Sequence, residues 1–423
     1  MNKDSDRISD TASQVLGLLM AGQPLSRPDI SVGLNVTAPT VAAALAELSA
    51  KGFVMQTGSR QGRLGRAASM YQLHLQAGWL LGLDLGSTQI LIVARALDGS
   101  LLREFRYSAL DSEIAGAEPP RSLMKFASDH IVQLLSEFTK SHGRLLAVGI
   151  ALARVIPNSP STESVIGLED QAVRLGETLA ELSLPDGVPI LLENNVNCAA
   201  LAEMTIGSAQ FAENFAYLQV GVRVGAGLVV DGKLRRGAYG GSGELSLLPF
   251  PLVPGSERQQ FGLEEYLGSE HLLERVREEW PETAGAPPAT SKELLDRADA
   301  GDGPARDIAH RHASDIARVA MLLSAVVDPE LIVLGGGVGQ NPILGGMVGA
   351  ILHDVYPNIQ LKVSALGERA TVEGATSLAI EYARSVLLGD HYASRLGDQV
   401  SPVEQVSSAV QADGVMGTLV DRQ

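Results

Sequence analysis

The sequence lacks the features that would mark a secreted or membrane-embedded protein. Its 423 residues include a single cysteine, Cys198, which excludes an intramolecular disulfide framework and any zinc site built from several cysteines. No run of about 18 uncharged apolar residues occurs, because Asp84 and Arg223 interrupt the best candidates. The first ten residues, MNKDSDRISD, are polar and acidic and lack the apolar core of a signal peptide. We therefore expect a protein of the reducing cytoplasm with no membrane partner.

Positive charge is also scarce over the chain as a whole. The sequence has 33 lysines and arginines against 49 aspartates and glutamates, which gives a formal net charge of −16 at pH 7. Such an acidic balance argues against a protein that coats nucleic acid uniformly, but it leaves room for a small basic head on an acidic body. Hydrophobic residues make up 45% of the chain, and its length predicts two or three domains with sizeable cores.

The N-terminal residues have the pattern of a helix-turn-helix unit. Apolar residues at positions 15–19 predict a first helix, and a second helix is predicted to begin at Ser26 with Pro28 in its first turn. Thr37 is predicted to cap a third helix, whose apolar residues recur at helical spacing until Gly52 ends it.

A basic wing is predicted to follow the third helix. Two short strands, at residues 53–55 and 70–73, flank a loop at residues 56–69 that contains GSRQGRLGR. Residues 50–75 carry four basic side chains and no acidic one. Helix, turn, helix and wing together are a DNA-binding arrangement, so residues 1–75 are predicted to form a winged helix-turn-helix domain. The alternative is a solvated basic loop on a small three-helix domain.

The third helix offers few long donors to base edges, because its exposed face is predicted to consist of Glu47 and small side chains. Sequence readout should therefore depend on hydroxyl groups, wing arginines and DNA shape. The residues predicted to contact DNA are Ser26, Thr37, Ala38, Pro39, Thr40, Arg60, Arg63 and Arg66. Since one such head reads too few bases for operator specificity, we expect a homodimer or tetramer on a double-stranded DNA operator.

From Trp79 onwards, apolar strand patterns alternate with helices, and this alternation predicts layered α/β lobes. Glycine-rich turns follow several of these strands, and such turns can present backbone N–H groups to phosphates. Polar side chains also follow one strand directly, in the segment LLENNVNC at residues 191–198. Strands are predicted at residues 80–85, 90–94, 145–152, 190–192, 215–222, 225–230 and 331–334, with helices at 121–140 and 313–327.

These motifs, in this order, resemble those of the ROK family of repressors and sugar kinases. The likeness runs from about residue 10 to residue 385. The family's first phosphate loop, DxGGTK, is matched by DLGSTQ at 84–89, and its END-x-N segment is matched by ENNVN at 193–197. Further matches are GVRVGAG at 221–227 for GTGIGAG, GELSL at 243–247 for the GE(I)GH element, FGLE at 261–264 for the end of the zinc segment, and GGG at 335–337.

The resemblance implies an α/β body of the sugar-kinase and actin-like ATPase type in two lobes, preceded by the winged helix-turn-helix domain. The first lobe is expected at residues 76–192. The second lobe, with the dimerisation surface and a closing helix, is expected at residues 193–388. Residues 389–423 lack clear periodicity and are predicted to be a disordered tail.

The departures from the family argue against kinase chemistry. A sugar kinase of this type needs a carboxylate to accept the proton of the attacking hydroxyl, and position 195 is Asn195, which has no useful basicity. In the phosphate loop, Val222 replaces a hydroxyl residue and Arg223 replaces a glycine. We therefore expect no catalytic residues, no cofactor and no enzyme activity.

Zinc is not expected either. The family's three cysteines are absent, and Leu247 stands at its histidine position. Cys198 is predicted to be a small core residue. His310 and His312 are predicted to be surface residues, because positions i and i+2 of a helix face apart.

Four polar residues remain at the positions of the family's sugar ligands, namely Asn194, Asn195, Glu244 and Glu264. They are the candidates for binding a carbohydrate effector. The sequence favours a DNA-binding transcriptional regulator without kinase activity and with a degenerate effector cleft. Two alternatives stay open: a repressor released by a sugar or sugar phosphate bound in a working cleft, and an active ROK sugar kinase with an accessory head.

Overall fold

The computed structural model describes residues 8–60, 68–86, 89–108, 121–158, 179–246, 248, 262–389 and 402. Within these residues the chain forms an N-terminal head and a body of two α/β lobes, each built on a five-stranded sheet. Apart from Gly389 and Pro402, the C-terminal tail predicted at residues 389–423 lies outside the described residues.

The head contains the three helices that the sequence predicts: α1 (Asp10–Leu19), α2 (Arg27–Leu34) and α3 (Ala38–Ala50). The start of α2 is fixed by a capping box, in which the Ser26 hydroxyl accepts from the Asp29 N–H and the Asp29 side chain accepts from the Ser26 N–H. The core of the head is apolar and fully buried, with Leu16, Ile30 and Leu48 at its centre.

The head sheet is larger than predicted. Strand β2 (Val54–Arg60) pairs antiparallel with β3 (Ala68–Leu73), and β1 (Leu25–Ser26) pairs with the other edge of β3. The prediction of a loop from residue 56 to residue 69 was therefore wrong at both ends, because the hairpin continues as far as the pair Arg60 and Ala68. The two-residue β1 was not predicted, since so short a segment shows no periodicity.

The first lobe is built on a sheet with the strand order β6-β5-β4-β7-β8. Its strands are β4 (Trp79–Leu85), β5 (Gln89–Ala96), β6 (Leu101–Ser108), β7 (Leu145–Leu152) and β8 (Ile190–Asn194), and helix α4 (Arg121–Ser141) packs against it. The central strands β4 and β7 are parallel and almost wholly buried, which explains their continuous apolar sequences. The sequence did not predict β6, an edge strand rich in charged residues.

The second lobe has the strand order β11-β10-β9-β12-β13. Its strands are β9 (Phe215–Val220), β10 (Val224–Val230), β11 (Lys233–Leu234), β12 (Leu331–Gly335) and β13 (Gln360–Val363). Its helices are α6 (Leu263–Leu267), α7 (Ser269–Glu279), α8 (Ser291–Asp299), α9 (Gly303–Val327), α10 (Gly336–Gly339) and α11 (Pro342–Val355). Helix α9 begins at Gly303 rather than at Ala313, because Asp302 caps a charged first half that the apolar pattern did not reveal.

Two further helices, α5 (Asn195–Thr205) and α12 (Ala370–Leu388), pack against each other, and α12 also covers the first-lobe sheet. Glycines make this packing close. A Cβ at Gly149 on β7 would lie 1.9 Å from the Ala375 carbonyl oxygen, so only glycine fits there. The far end of α12 contacts α1, so this helix joins the body to the head.

Within the described residues, no single helix has both the length and the hydropathy needed to cross a membrane. Helices α2 and α3 reach those values only when they are taken together, and they meet at 110°.

Candidate functional site

The head presents a helix-turn-helix. Helices α2 and α3 meet at 110° and are joined by a three-residue turn, Asn35 to Thr37. Asn35 has φ 54° and ψ 45°, a left-handed conformation that asparagine tolerates well, and this residue ends α2. The angle and the short turn are those of DNA-binding units in which the second helix enters the major groove.

The N-terminal end of α3 faces solvent. The predicted DNA contacts Thr37, Ala38, Pro39 and Thr40 are all exposed. Thr37 occupies the N-cap position, but its hydroxyl makes no capping hydrogen bond and instead pairs with the Thr40 hydroxyl at 2.7 Å. The two hydroxyls therefore form one exposed polar group at the start of this helix.

Two predictions about this surface need correction. Ser26 is only 6% exposed, and its hydroxyl is used in the capping box of α2, so its side chain is not available to a phosphate. Glu47 is half-buried rather than part of the open face of α3. Its carboxylate accepts hydrogen bonds from the Ser9 N–H at 2.9 Å and the Ser9 hydroxyl at 2.6 Å. This contact holds the acidic side chain of Glu47 against the start of α1. A free carboxylate on this face would repel DNA.

The wing is described only at its base. Arg60 is the last residue of β2, where its backbone pairs with Ala68. Arg63 and Arg66 lie outside the described residues, so their contacts with DNA stay predictions.

The four candidate effector ligands come together in the body. Asn194, Asn195, Glu244 and Glu264 all line one cavity of about 340 Å³, which we call the interlobe cavity. Strand β8 and helix α5 provide the asparagines, α6 provides Glu264, and the chain after β11 provides Glu244. Residues up to 70 positions apart in the sequence thus converge on one space.

Asn194 is held firmly in this cavity. Its Oδ1 atom accepts from the N–H groups of Val196 at 2.8 Å and Asn197 at 3.3 Å, which caps α5. Its Nδ2 atom donates to the Arg154 carbonyl at 3.0 Å and to Glu244 Oε1 at 3.2 Å. One side chain therefore fixes both the start of α5 and one wall of the cavity.

A buried ion pair behind this wall had no signal in the sequence. Glu193 and Arg236 are 1% and 4% exposed, and Glu193 Oε2 lies 2.9 Å from Arg236 Nε. Glu193 Oε1 accepts from the Asn194 N–H at 2.7 Å and from Asn197 Nδ2 at 3.0 Å. Burial raises the pKa of the Glu193 carboxyl, while Arg236 and these hydrogen bonds oppose the rise. Glu193 thus holds Asn194 and Asn197 in place, although Glu193 itself does not line the cavity.

Glu244 is the titratable group of the interlobe cavity with a shifted pKa. Burial and the neighbouring Glu264 carboxylate raise the pKa of Glu244, while the Arg223 guanidinium opposes the rise. The Glu264 carboxylate also accepts from the Val224 N–H at 3.4 Å. The cavity thus offers carboxylate acceptors and amide groups, which are the groups that bind hydroxyl-rich ligands.

A second space of about 370 Å³, the glycine cleft, adjoins the interlobe cavity and shares Ala153, Asn195, Gln219 and Arg223 with it. The glycine cleft is lined by Asp84 and by the glycine turns at Gly221 and Gly336. Burial raises the pKa of Asp84 to about 7. The phosphate-loop candidates of the sequence are therefore neighbours in space.

Arg223 lies where the two spaces meet. Its neighbour Val222 is 56% exposed and offers no hydroxyl. The position required of a catalytic base is occupied by Asn195, which cannot accept a proton near neutral pH. The cleft thus carries an amide at position 195, an apolar side chain at position 222 and a guanidinium at position 223.

Candidate metal ligands do not come together in the part of the chain that the structure describes. Within the ranges that the structure describes, no group of three or more histidine, cysteine or acidic side chains could hold a metal ion. Cys198 is buried in the core, as predicted. The prediction that His312 is a surface residue was wrong, because this side chain is 2% exposed, whereas His310 is exposed.

Comparison with known proteins places these features in a family context. The ROK family model matches residues 80–382 of the chain. The xylose repressor of Caldicellulosiruptor bescii is 24% identical over 390 residues, which cover 86% of this chain and 94% of the repressor. The beta-glucoside kinase of Klebsiella pneumoniae is 25% identical over 264 residues, which cover 61% of this chain and 82% of the kinase.

A solved structure extends the likeness to the fold. The crystal structure of a ROK family transcriptional regulator, a homologue of the E. coli MLC protein, matches with a TM-score of 0.66 at 20% identity, covering 90% of this chain and 97% of the other. The expected architecture, a two-lobed α/β body of the sugar-kinase type behind an N-terminal head, is thereby confirmed.

Proposed function

The chain belongs to the ROK family, and from this premise we propose that it is a transcriptional repressor that binds double-stranded operator DNA through its head and does not phosphorylate sugars. The observation that carries the proposal is the helix-turn-helix in front of the family's body, with the start of α3 exposed. The similarity to a xylose repressor extends over 86% of this chain, and that to a beta-glucoside kinase over 61%, which also favours a regulator.

The absence of kinase activity is supported by two positions in the cleft. Asn195 provides an amide where a general base is required. Arg223 borders both the interlobe cavity and the glycine cleft, so its side chain competes with a nucleotide phosphate for the same space. No residue is assigned a catalytic role, and no cofactor is required by this proposal.

We infer further that the interlobe cavity takes a polyhydroxylated effector, a sugar or sugar phosphate. Its volume of about 340 Å³ is within the range of small-molecule sites, and its lining brings Asn194, Asn195, Glu244 and Glu264 together. The sequence departures favoured a degenerate cleft, but an open, polar cavity supports the sugar-responsive alternative better.

A homodimer is proposed from DNA geometry and from one apolar surface. A single head reads too few bases, and two heads on one symmetric particle would read two half-sites. Helix α9 exposes Val326 at 84% and Leu322 at 41%, beside an apolar recess of about 470 Å³. A second copy of the chain is the proposed occupant of this surface.

The test is genome-wide mapping of the DNA bound by the full-length chain, repeated with candidate sugars. We expect discrete sites with paired half-sites one helical turn or a multiple of it apart. Thr40→Glu should abolish enrichment, because it places a negative charge on the exposed start of α3. The control Glu270→Gln, on the exposed surface of α7, should leave the sites unchanged. Absence of any enriched site, together with protein-dependent sugar phosphorylation, would establish the kinase alternative.

A further inference from the structure

Arg27 is a basic residue of the head to which the sequence pattern assigns no role. It is the first residue of α2, and its side chain is exposed. The capping box between Ser26 and Asp29 fixes the backbone on both sides of Arg27, and Pro28 restrains the next residue further. The point at which the Arg27 side chain leaves the head is therefore well defined.

The Arg27 guanidinium is held against the wing hairpin formed by β2 and β3. Its Cζ atom lies over the Tyr71 ring, 5.4 Å from the ring centroid. Tyr71 is 5% exposed and lies in the central strand of the head sheet, because β3 pairs with β1 at Leu25 and with β2 at Gln56. A buried ring in a central strand is fixed in position, so the Arg27 side chain resting on it loses less conformational freedom when it binds a partner.

The positive charge of Arg27 is available to a partner outside the chain. In the part of the chain that the structure describes, its side chain makes no ion pair and no hydrogen bond. Asp29, the acidic residue in the first turn of α2, uses its Oδ2 atom to accept from the Ser26 N–H at 2.9 Å and the Ser26 hydroxyl at 2.7 Å. A free guanidinium suits a phosphate in particular, because it can donate two parallel hydrogen bonds to it.

Arg27 lies where a helix-turn-helix meets the DNA backbone. In such a unit the first helix crosses the phosphate backbone while the second lies in the major groove. Helix α2 has 8 residues. It is therefore roughly 12 Å long at about 1.5 Å per residue, and the major groove is about 12 Å wide. With the start of α3 in the groove, the start of α2 lies about one groove width away, at the phosphates along the groove edge.

We propose that the Arg27 guanidinium binds a phosphate of the operator backbone, and that Tyr71 is the positioning residue that holds it there. This inference rests on the proposed function, DNA binding by the head, and adds a contact outside the wing loop and the start of α3. A phosphate contact contributes affinity and fixes how the head sits on the duplex, but it carries no sequence information. Because the Tyr71 ring belongs to β3, it also joins α2 to the wing.

The experiment measures binding of the full-length chain to an operator duplex from the genome-wide map and to a shuffled duplex of equal length, at several salt concentrations. Each phosphate contact contributes about 0.9 to the slope of log affinity against log salt concentration. Arg27→Gln should reduce the steepness by about that amount per bound head and weaken binding to both duplexes by the same factor, about tenfold or more. The matched control Lys51→Gln, also exposed but at the opposite end of α3, should keep the parent slope.

A double-mutant cycle tests Tyr71. Tyr71→Phe keeps the ring and should bind DNA like the parent chain. Tyr71→Leu should weaken binding in the parent chain and have no further effect when it is added to Arg27→Gln. Melting curves show whether each variant folds. Because Arg27 is exposed, Arg27→Gln tests the phosphate contact even if Tyr71→Leu does not fold.

Neutral methylphosphonate groups, placed one at a time along the operator, locate the contact. At one position in each half-site they should weaken binding of the parent chain and leave binding of Arg27→Gln unchanged.

The possible failures are distinguishable. If the parent chain binds DNA and Arg27→Gln keeps its salt slope, the phosphate contact is refuted and the proposed function stands. A loss confined to the operator duplex would also refute it, because Arg27 would then read bases. A further loss on adding Tyr71→Leu to Arg27→Gln would refute the positioning role of Tyr71. A parent chain that binds neither duplex would refute DNA binding itself, and the phosphate contact with it.

Discussion

The hydroxyl of Ser13, on the first helix of the head, donates to the backbone carbonyl of Leu387, on the last helix of the body, at 3.2 Å. Ser13 is 6% exposed, and the neighbouring Leu388 side chain packs over Gly17 of α1. Helix α12 continues from this contact to α5, and α5 is capped by Asn194 of the interlobe cavity. The head and the proposed effector site are thus joined by two packed helices, which is the kind of physical contact that energetic coupling requires.

The packing of α12 on α5 depends on one glycine. A Cβ at Gly374 would lie 1.7 Å from the Cys198 carbonyl oxygen, so the two backbones would have to separate. We expect Gly374→Ala to lower the free energy of unfolding by about 2 kcal/mol or more. The matched control is Gly346→Ala in the interior of α11, where a Cβ meets nothing within 4 Å. That control should be neutral or stabilising by up to about 1 kcal/mol. Urea unfolding compares the two, and equal effects would contradict the close packing of α12 and α5.

The wing arginines should contribute affinity without sequence preference. We expect Arg63→Ala with Arg66→Ala to weaken binding to all DNA sequences and to flatten the dependence of affinity on salt, because phosphate contacts are lost. Gel-shift titrations at several salt concentrations measure both quantities. The matched control removes two arginines from the body, Arg277→Ala with Arg306→Ala, which are exposed on α7 and α9. An unchanged salt slope in the wing variant would exclude the wing from the interface.

The elements that the sequence predicted well share one physical feature. Strands β4 and β7 are buried along their length, so their continuous apolar sequences report their environment directly. Strand β6 escaped prediction because it is an edge strand, where half-exposed positions tolerate arginine and glutamate. The beginning of α9 escaped for a similar reason, since its first half is amphipathic and charged.

The candidate sites divide in the same way. The convergence of Asn194, Glu244 and Glu264 was implied by the resemblance to the ROK family, in which these positions hold the sugar ligands. The Glu193–Arg236 pair and the burial of His312 were not predicted. Both depend on contacts between segments far apart in the chain. The spacing of residues along one helix does not show whether another part of the chain covers a given side chain.

Asp84 should make stability depend on pH. Its pKa is about 7 in the folded chain against an ordinary value of 3.8, so the folded state binds more protons between these values. The free energy of unfolding should therefore fall as pH rises from about 4 to 7 and remain lower above that range. Asp84→Asn removes this contribution and should stabilise the chain by about 4 kcal/mol at pH 8, relative to the difference at pH 4, because a shift of one pKa unit corresponds to about 1.4 kcal/mol. Melting curves of both proteins at the two pH values check the sign, and parallel pH profiles would show that Asp84 ionises normally.

The chain should not transfer phosphate from ATP to sugars. Purified protein with ATP, magnesium and a panel of hexoses should release ADP at the background rate, because base and phosphate loop are both altered. Restoring the carboxylate with Asn195→Asp should not create activity while Val222 and Arg223 remain. Multiple turnovers by the parent chain, abolished by Asn195→Ala, would show that this reasoning is wrong.

The interlobe cavity should bind a polyhydroxylated ligand through Glu244. A hydrogen bond from a ligand hydroxyl to a carboxylate contributes about 1.5–3 kcal/mol, so Glu244→Ala should weaken binding on the order of tenfold or more. Because a ligand that binds the folded state raises the melting temperature, a thermal-shift screen of sugars and sugar phosphates finds candidates. Glu270→Ala, which changes an exposed glutamate on α7, is the control and should leave every shift in place.

An effector should also change the affinity for operator DNA. The double variant Ser13→Ala with Leu388→Ala should reduce that change and leave the sugar affinity intact, because both substitutions act on the contact between α1 and α12. If no sugar shifts the melting curve and operator affinity is the same with and without sugars, the cavity has no effector role, although DNA binding by the head would be unaffected.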